Sequence, residues 1–113
     1  MEKVKQYQQY ILQVLQAYAA LKPANIPDLE NLVLTDEIRG QYQLVRVGWN
    51  GSKRVYHIVF HIEIKENGKI WIQQDWTEQG VANELVEMGV PKSDIVLAYH
   101  APSKRTAYGF AAA

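Results

Sequence analysis

Residues 57–80, HIVFHIEIKENGKIWIQQDWTEQG, constrain the fold more tightly than any other stretch. Two runs of β-branched and aromatic residues flank Glu66-Asn67-Gly68-Lys69, and the second run leads straight into a helical pattern. That is the signature of a β-hairpin feeding a helix. Two registers can close the turn. A two-residue Asn-Gly loop pairs Glu66 with Lys69 and sets Phe60 opposite Asp75, a carboxylate among isoleucines. A three-residue loop, with Gly68 in the left-handed region, pairs Lys65 with Lys69, Ile64 with Ile70, Ile62 with Ile72 and Ile58 with Trp76. A one-residue slip turns a strand's whole side-chain set to the other face, so the hydrophobic pattern selects the three-residue loop.

The same register orders the opposite face. His57 falls across from Thr77, Val59 from Asp75, His61 from Gln73 and Glu63 from Trp71. Asp75 is then diagonal to His61, about 7–8 Å away and within side-chain reach. His61, Glu63, Trp71, Gln73 and Asp75 gather into one polar patch with an aromatic member. Polar open faces are ordinary in antiparallel sheets. Two features single this one out: Trp71 is a large apolar group on a wet face, and histidine changes charge near neutral pH.

Upstream, Val4, Tyr7, Ile11, Val14, Tyr18 and Leu21 recur at steps of three and four, a helical stripe of about five turns. Pro23 stops it, because the residue before proline avoids the helical region. Gln6, Gln9, Gln13 and Gln16 repeat at the same spacing. They read as a neutral solvent face in preference to a partner surface. Residues 22–30 hold two prolines and form a connector. Four strands in meander order follow at 31–38, 42–49, 53–65 and 69–76. A short helix spans residues 78–88, with Thr77 as its N-cap, Glu78 in the dipole-favoured first turn, and Gly89 and Pro91 ending it. Residues 95–99 are a further strand candidate, and the AYGFAAA ending is a last edge strand candidate. The fold class is α+β. A long N-terminal helix packs on a mainly antiparallel meander sheet, with a second short helix after the fourth strand and one or two C-terminal strands. Residues 1–113 form one domain, with no repeat or second unit.

Chemistry is narrowed by what the chain lacks. There is no cysteine, hence no thiol nucleophile and no thiolate metal site. His57 and His61 project from positions about 13 Å apart along a strand, too far to share an ion. A His61–Asp75 pair lacks a nucleophile in an elbow motif, and the glycines punctuate turns and cradle no phosphate. No catalytic residue, metal or cofactor is expected. No apolar run reaches membrane-spanning length and no signal peptide is visible, so a cytoplasmic protein is expected. Twelve basic and twelve acidic residues give zero formal charge. That balance disfavours autonomous DNA binding and offers little protection from self-association, so a homo-oligomer is in view. Lys53-Arg54 and Lys104-Arg105 are short basic spots that carry the alternative reading, direct DNA contact.

Four segments together carry a family resemblance: YQLVRVGW (42–49), HIEIKENGKIWIQQDWTEQGVANEL (61–85), GVPKSDIVL (89–97) and the AYGFAAA ending. They resemble the XisI family, the controlling factors for excision of the fdxN element in cyanobacteria. The resemblance runs from about Tyr7 onward. It implies action beside a companion, XisH, and a site-specific recombinase, with DNA contacted indirectly. It brings no catalytic residues. It makes His61, Trp71, Gln73, Asp75, Thr77 and Glu78 candidates for a shared surface. Joined with the polar patch, the candidate partner-binding residues are His61, Glu63, Trp71, Gln73, Asp75 and Glu78.

Overall fold

The computed structural model describes residues 2–21 and 26–113. Helix α1 (Glu2–Ala20) buries Tyr7, Ile11, Val14 and Leu15. Leu21, the expected end of the stripe, is instead 63% exposed, and the expected stop at Pro23 lies outside the described residues. Gln6, Gln9, Gln13 and Gln16 all face solvent.

The sheet has five strands in the order β1 (Leu29–Asp36), β2 (Gln41–Asn50), β3 (Lys53–Ile64), β4 (Ile70–Asp75) and β5 (Ile95–Leu97). The first four form the expected antiparallel meander. β5 runs parallel to β4. A parallel neighbour needs a crossover, and helix α2 (Val81–Glu87) supplies it. β5 stops at Leu97, short of the expected Tyr99. The AYGFAAA ending forms a single bridge, Val96 to Ala111, in place of a full strand.

Both helices lie on one side of the sheet. Their buried residues share one core with Tyr42, Leu44, Phe60, Ile62, Ile64, Ile70, Ile72, Ile95 and Leu97. Burying each such side chain stabilises the fold by about 1.5–3 kcal/mol before entropy is counted. Tyr18 fastens α1 to α2 by donating to Glu84 Oε2 at 2.7 Å. Tyr7 and Lys3 fasten α1 to the segment before β5 through Asp94 Oδ2, at 2.5 and 2.9 Å.

The hairpin closes in the three-residue register. Lys65 N–H donates to the Lys69 carbonyl at 2.9 Å, and Gly68 takes φ 84°. Ile64 meets Ile70, Ile62 meets Ile72 and Glu63 meets Trp71, as the pattern requires. Beyond Ile62 the pairing departs from expectation. Gln73 is an extra residue, so His61 pairs with Gln74 and Phe60 with Asp75. A second irregularity makes Val59 extra against β2, where Leu44 pairs with Phe60 and Val45 with Ile58. Bulges of this kind put two successive residues on one face and reverse the alternation beyond.

Candidate functional site

The two bulges sort the expected patch. Alternation from the core residues places His61, Glu63, Trp71 and Gln73 on the helix-free face, together with Gln41 and Gln43. The His61 ring lies between two glutamines, with Nε2 2.7 Å from Gln41 Oε1 and Nδ1 3.5 Å from Gln43 Nε2. That geometry suits a neutral ring donating through Nε2 and accepting at Nδ1. Burial holds the His61 pKa below its ordinary value, and the nearby Glu63 charge only partly offsets it.

Glu63 is the charged centre of the tract. It accepts from Gln73 Nε2 at 3.0 Å and pairs with Lys65 at 3.2 Å. Burial pushes its carboxyl up, but bonds from Lys65, Gln41 and Gln73 together bring it below its usual range. Trp71 is half-buried between two cations: Lys65 Nζ lies 5.0 Å and the Arg105 guanidinium 5.3 Å from the ring centroid. Cation–π attraction of this kind is worth about 0.5–1 kcal/mol at exposed sites. Trp71 Nε1 has no hydrogen-bond partner among the described residues. Beside the indole lies an open depression of about 570 Å³, lined also by Arg39, Glu66 and Asn67.

Asp75 does not join this tract. The Gln73 bulge turns it to the helix side, opposite Phe60. There its Oδ2 accepts the Val81 N–H at 2.8 Å, while Oδ1 accepts the Thr77 N–H and hydroxyl at 2.9 and 2.6 Å. Asp75 therefore takes the capping role expected of Thr77, whose hydroxyl instead accepts the Gly80 N–H at 3.1 Å. This delays α2 to Val81, where residue 78 was expected. Glu78 is exposed in the preceding turn and lines a hollow with Tyr18 and Glu84, on the helix side. His57 pairs with Arg46, off the His61 face. Trp76, expected in the core, is 73% exposed.

The same face carries an apolar half that sequence reasoning missed. Leu32, Leu34, Val45, Val47, Tyr56 and Ile58 adjoin across β1, β2 and β3, with Leu34 49% exposed. The signal was present: Leu32-Val33-Leu34 and Leu44-Val45 are runs without alternation. Ile58 reaches this face only because Val59 is bulged, which no periodicity reveals.

The two basic pairs are far apart. Arg54 sits at the β2–β3 tip, stacked over Trp49 and Tyr56 at 5.5 and 5.9 Å. Arg105 covers Trp71 near the other end of β3, about 30 Å away at ~3.3 Å per residue. Among the described residues no group of three or more acids and histidines is arranged to hold a metal ion. No helix among them is long and apolar enough to cross a membrane.

Comparison with known proteins adds three findings. A family model described as XisI protein matches residues 1–112. The structure is similar to a XisI-like protein from Anabaena variabilis, with 41% identity and a TM-score of 0.87, covering 97% of this chain and 99% of that one. It is also similar to the fdxN element excision controlling factor XisI of Anabaena variabilis, with 38% identity and a TM-score of 0.81, covering 98% and 99%. None of the curated proteins matches.

Proposed function

This chain belongs to the XisI family, and we propose that it is a non-enzymatic controlling factor in excision of a DNA element, acting as a protein-interaction module. Its partner on this reading is a XisH-like protein, through which a site-specific recombinase and DNA are reached. The observation that carries the proposal is the helix-free sheet face. It joins exposed Leu32 and Leu34 on β1 and Tyr56 on β3, beside partly covered Val47 and Ile58, to a hydrogen-bonded polar tract around Trp71. Contiguous exposed apolar surface rimmed by polar groups marks a binding site in soluble proteins. Tryptophan and arginine are also the residues that most often dominate interface energetics. Trp71 and Arg105 are already stacked here, and the adjoining depression can receive a partner side chain.

His61, Glu63, Trp71 and Gln73 are the contact residues on this reading. Asp75 supports it from the other side of the sheet by fixing where α2 begins, and Glu78, exposed on that side, is not among the contacts. The test is size-exclusion chromatography with light scattering, on the protein alone and co-expressed with a XisH-like protein from the same genome. A stable mixed complex is expected. Trp71→Ala should weaken it at least tenfold while leaving the circular dichroism spectrum unchanged. Separate elution of the two wild-type proteins would remove the proposal's main support.

A further inference from the structure

β1 is an edge strand, and among the described residues only β2 pairs with it. The ladder fixes which backbone groups are left over. Trp49 N–H donates to the Asp28 carbonyl at 3.2 Å, so hydrogen-bonded pairs to β2 fall at Asp28 and every second residue after it. Asn31, Val33 and Thr35 therefore direct their N–H and C=O groups away from the sheet. Natural edges are usually guarded by lysine, proline, a bulge or a covering loop. β1 has no lysine or proline in LENLVLTD, no register shift against β2, and Val33 at 37% and Leu34 at 49% exposure.

Charge decides what fits this edge. Glu30, Leu32, Leu34 and Asp36 share the helix-free face. Asp36 is partly held by Arg39 at 2.9 Å, and Glu30 has no ion-pair partner among the described residues. A second copy fits poorly. An antiparallel two-fold centred on Val33 sets Glu30 directly against Asp36. Shifted registers set one of these acids against Leu32 or Leu34. Like charges, or acid against leucine, destabilise a cross-strand pair.

We infer that the β1 edge accepts an extended segment of a partner protein as a sixth, antiparallel strand, the segment presenting basic, apolar, apolar and basic side chains at alternate positions. Its basic residues face Asp36 and Glu30, its apolar residues face Leu34 and Leu32, and its backbone completes the ladder at Asn31, Val33 and Thr35. This mode takes affinity from main-chain bonds and specificity from alternate side chains. The inference rests on the interaction-module reading and names the kind of segment such a partner inserts.

The probe is the peptide lysine-threonine-valine-threonine-valine-threonine-lysine, titrated into isotopically labelled protein and followed by amide NMR shifts. Shifts are expected at Asn31, Val33 and Thr35, with slowed exchange of those amides. A peptide with glutamate in place of both lysines should leave them in place. Val33→Pro removes an outward donor and no bond to β2, and should abolish the response. Should that variant fail to fold, Glu30→Lys, at an exposed position, should weaken binding at least fivefold. Trp71→Ala should bind the peptide normally, which separates this edge from the Trp71 face: loss of the XisH-like complex with retained peptide binding leaves the edge intact. No shift, shifts centred elsewhere, or equal response to both peptides would overturn the inference. A concentration-dependent dimer dissolved by Val33→Pro would also overturn it, assigning the edge to a second copy.

Discussion

Asp75 shows how one side chain can set an element boundary. Its two oxygens accept three hydrogen bonds, from Thr77 and Val81. The Val81 bond satisfies one of the orphan donors at the start of α2, where a negative charge is also favoured by the helix dipole. Loss of such a cap costs about 0.5–2 kcal/mol. Asp75→Ala should therefore lower the thermal midpoint by several degrees, and Asp75→Asn, which keeps an acceptor, should recover part of it. Differential scanning calorimetry checks both. His61 makes a prediction of opposite character. Its folded pKa lies below its ordinary value because burial disfavours the charged ring. The unfolded chain, with a histidine pKa near ~6.5, then binds more protons in the window just below that value. Stability rises with pH wherever the unfolded state holds the extra proton. The His61 contribution is thus fully present above about pH 6.5 and is lost as pH falls from there through the folded pKa. His61→Gln should flatten the stability profile below about pH 6.5, measured by urea denaturation at a series of pH values on either side of it.

At the scale of elements, the β4 bulge makes the division between the two faces. Gln73 is the unpaired residue, and its amide donates to Glu63 at 3.0 Å. With it, the open face keeps the glutamines and the helix face receives Asp75. Deleting Gln73 should remove the bulge yet keep Gln74 opposite His61 and Asp75 opposite Phe60, because Asp75 then follows Ile72 by two residues and stays on the helix side. The expected result is unchanged amide exchange at Val81, with the hairpin turn intact and the bond to Glu63 lost. Faster exchange at Val81 would mean that the bulge positions the cap by more than the face it assigns to Asp75. The hairpin itself was legible, because Gly68 and the isoleucine pairs around it admit one register. So were the meander order, α1 and the placement of His61, Glu63, Trp71 and Gln73 on one face. The start of α2 was not, since Thr77 is as good a local cap as Asp75 and only the bulge decides between them. Nor was the helix-side position of Asp75: the pairing with Phe60 that alternation rejected is the one the bulge produces. Alternation carries faces along a strand only as far as the first extra residue.

At the scale of the whole molecule, charge argues about DNA. Twelve basic residues balance twelve acidic ones, and the basic pairs sit near opposite ends of β3 instead of forming one stripe. Each arginine is also engaged: Arg54 stacks on Trp49 and Tyr56, and Arg105 stacks on Trp71 and donates to the His100 carbonyl at 3.2 Å. Between the two ends the open face presents apolar groups and Glu63, which a phosphate backbone would leave unpaired or repel. Proteins that hold duplex DNA tightly neutralise roughly 6–10 phosphates and lose affinity steeply with salt. Lys53, Arg54, Lys104 and Arg105 could neutralise far fewer. Fluorescence anisotropy with a labelled duplex at low salt should therefore show no saturable binding by the protein alone at micromolar concentration. Any residual signal should change little when Lys53 and Arg54 are both replaced by alanine. Adding a XisH-like protein should produce binding whose salt dependence belongs to the complex. Tight, salt-sensitive binding by the isolated chain, lost on those two substitutions, would instead make the β2–β3 tip a DNA contact and the partner dispensable for it.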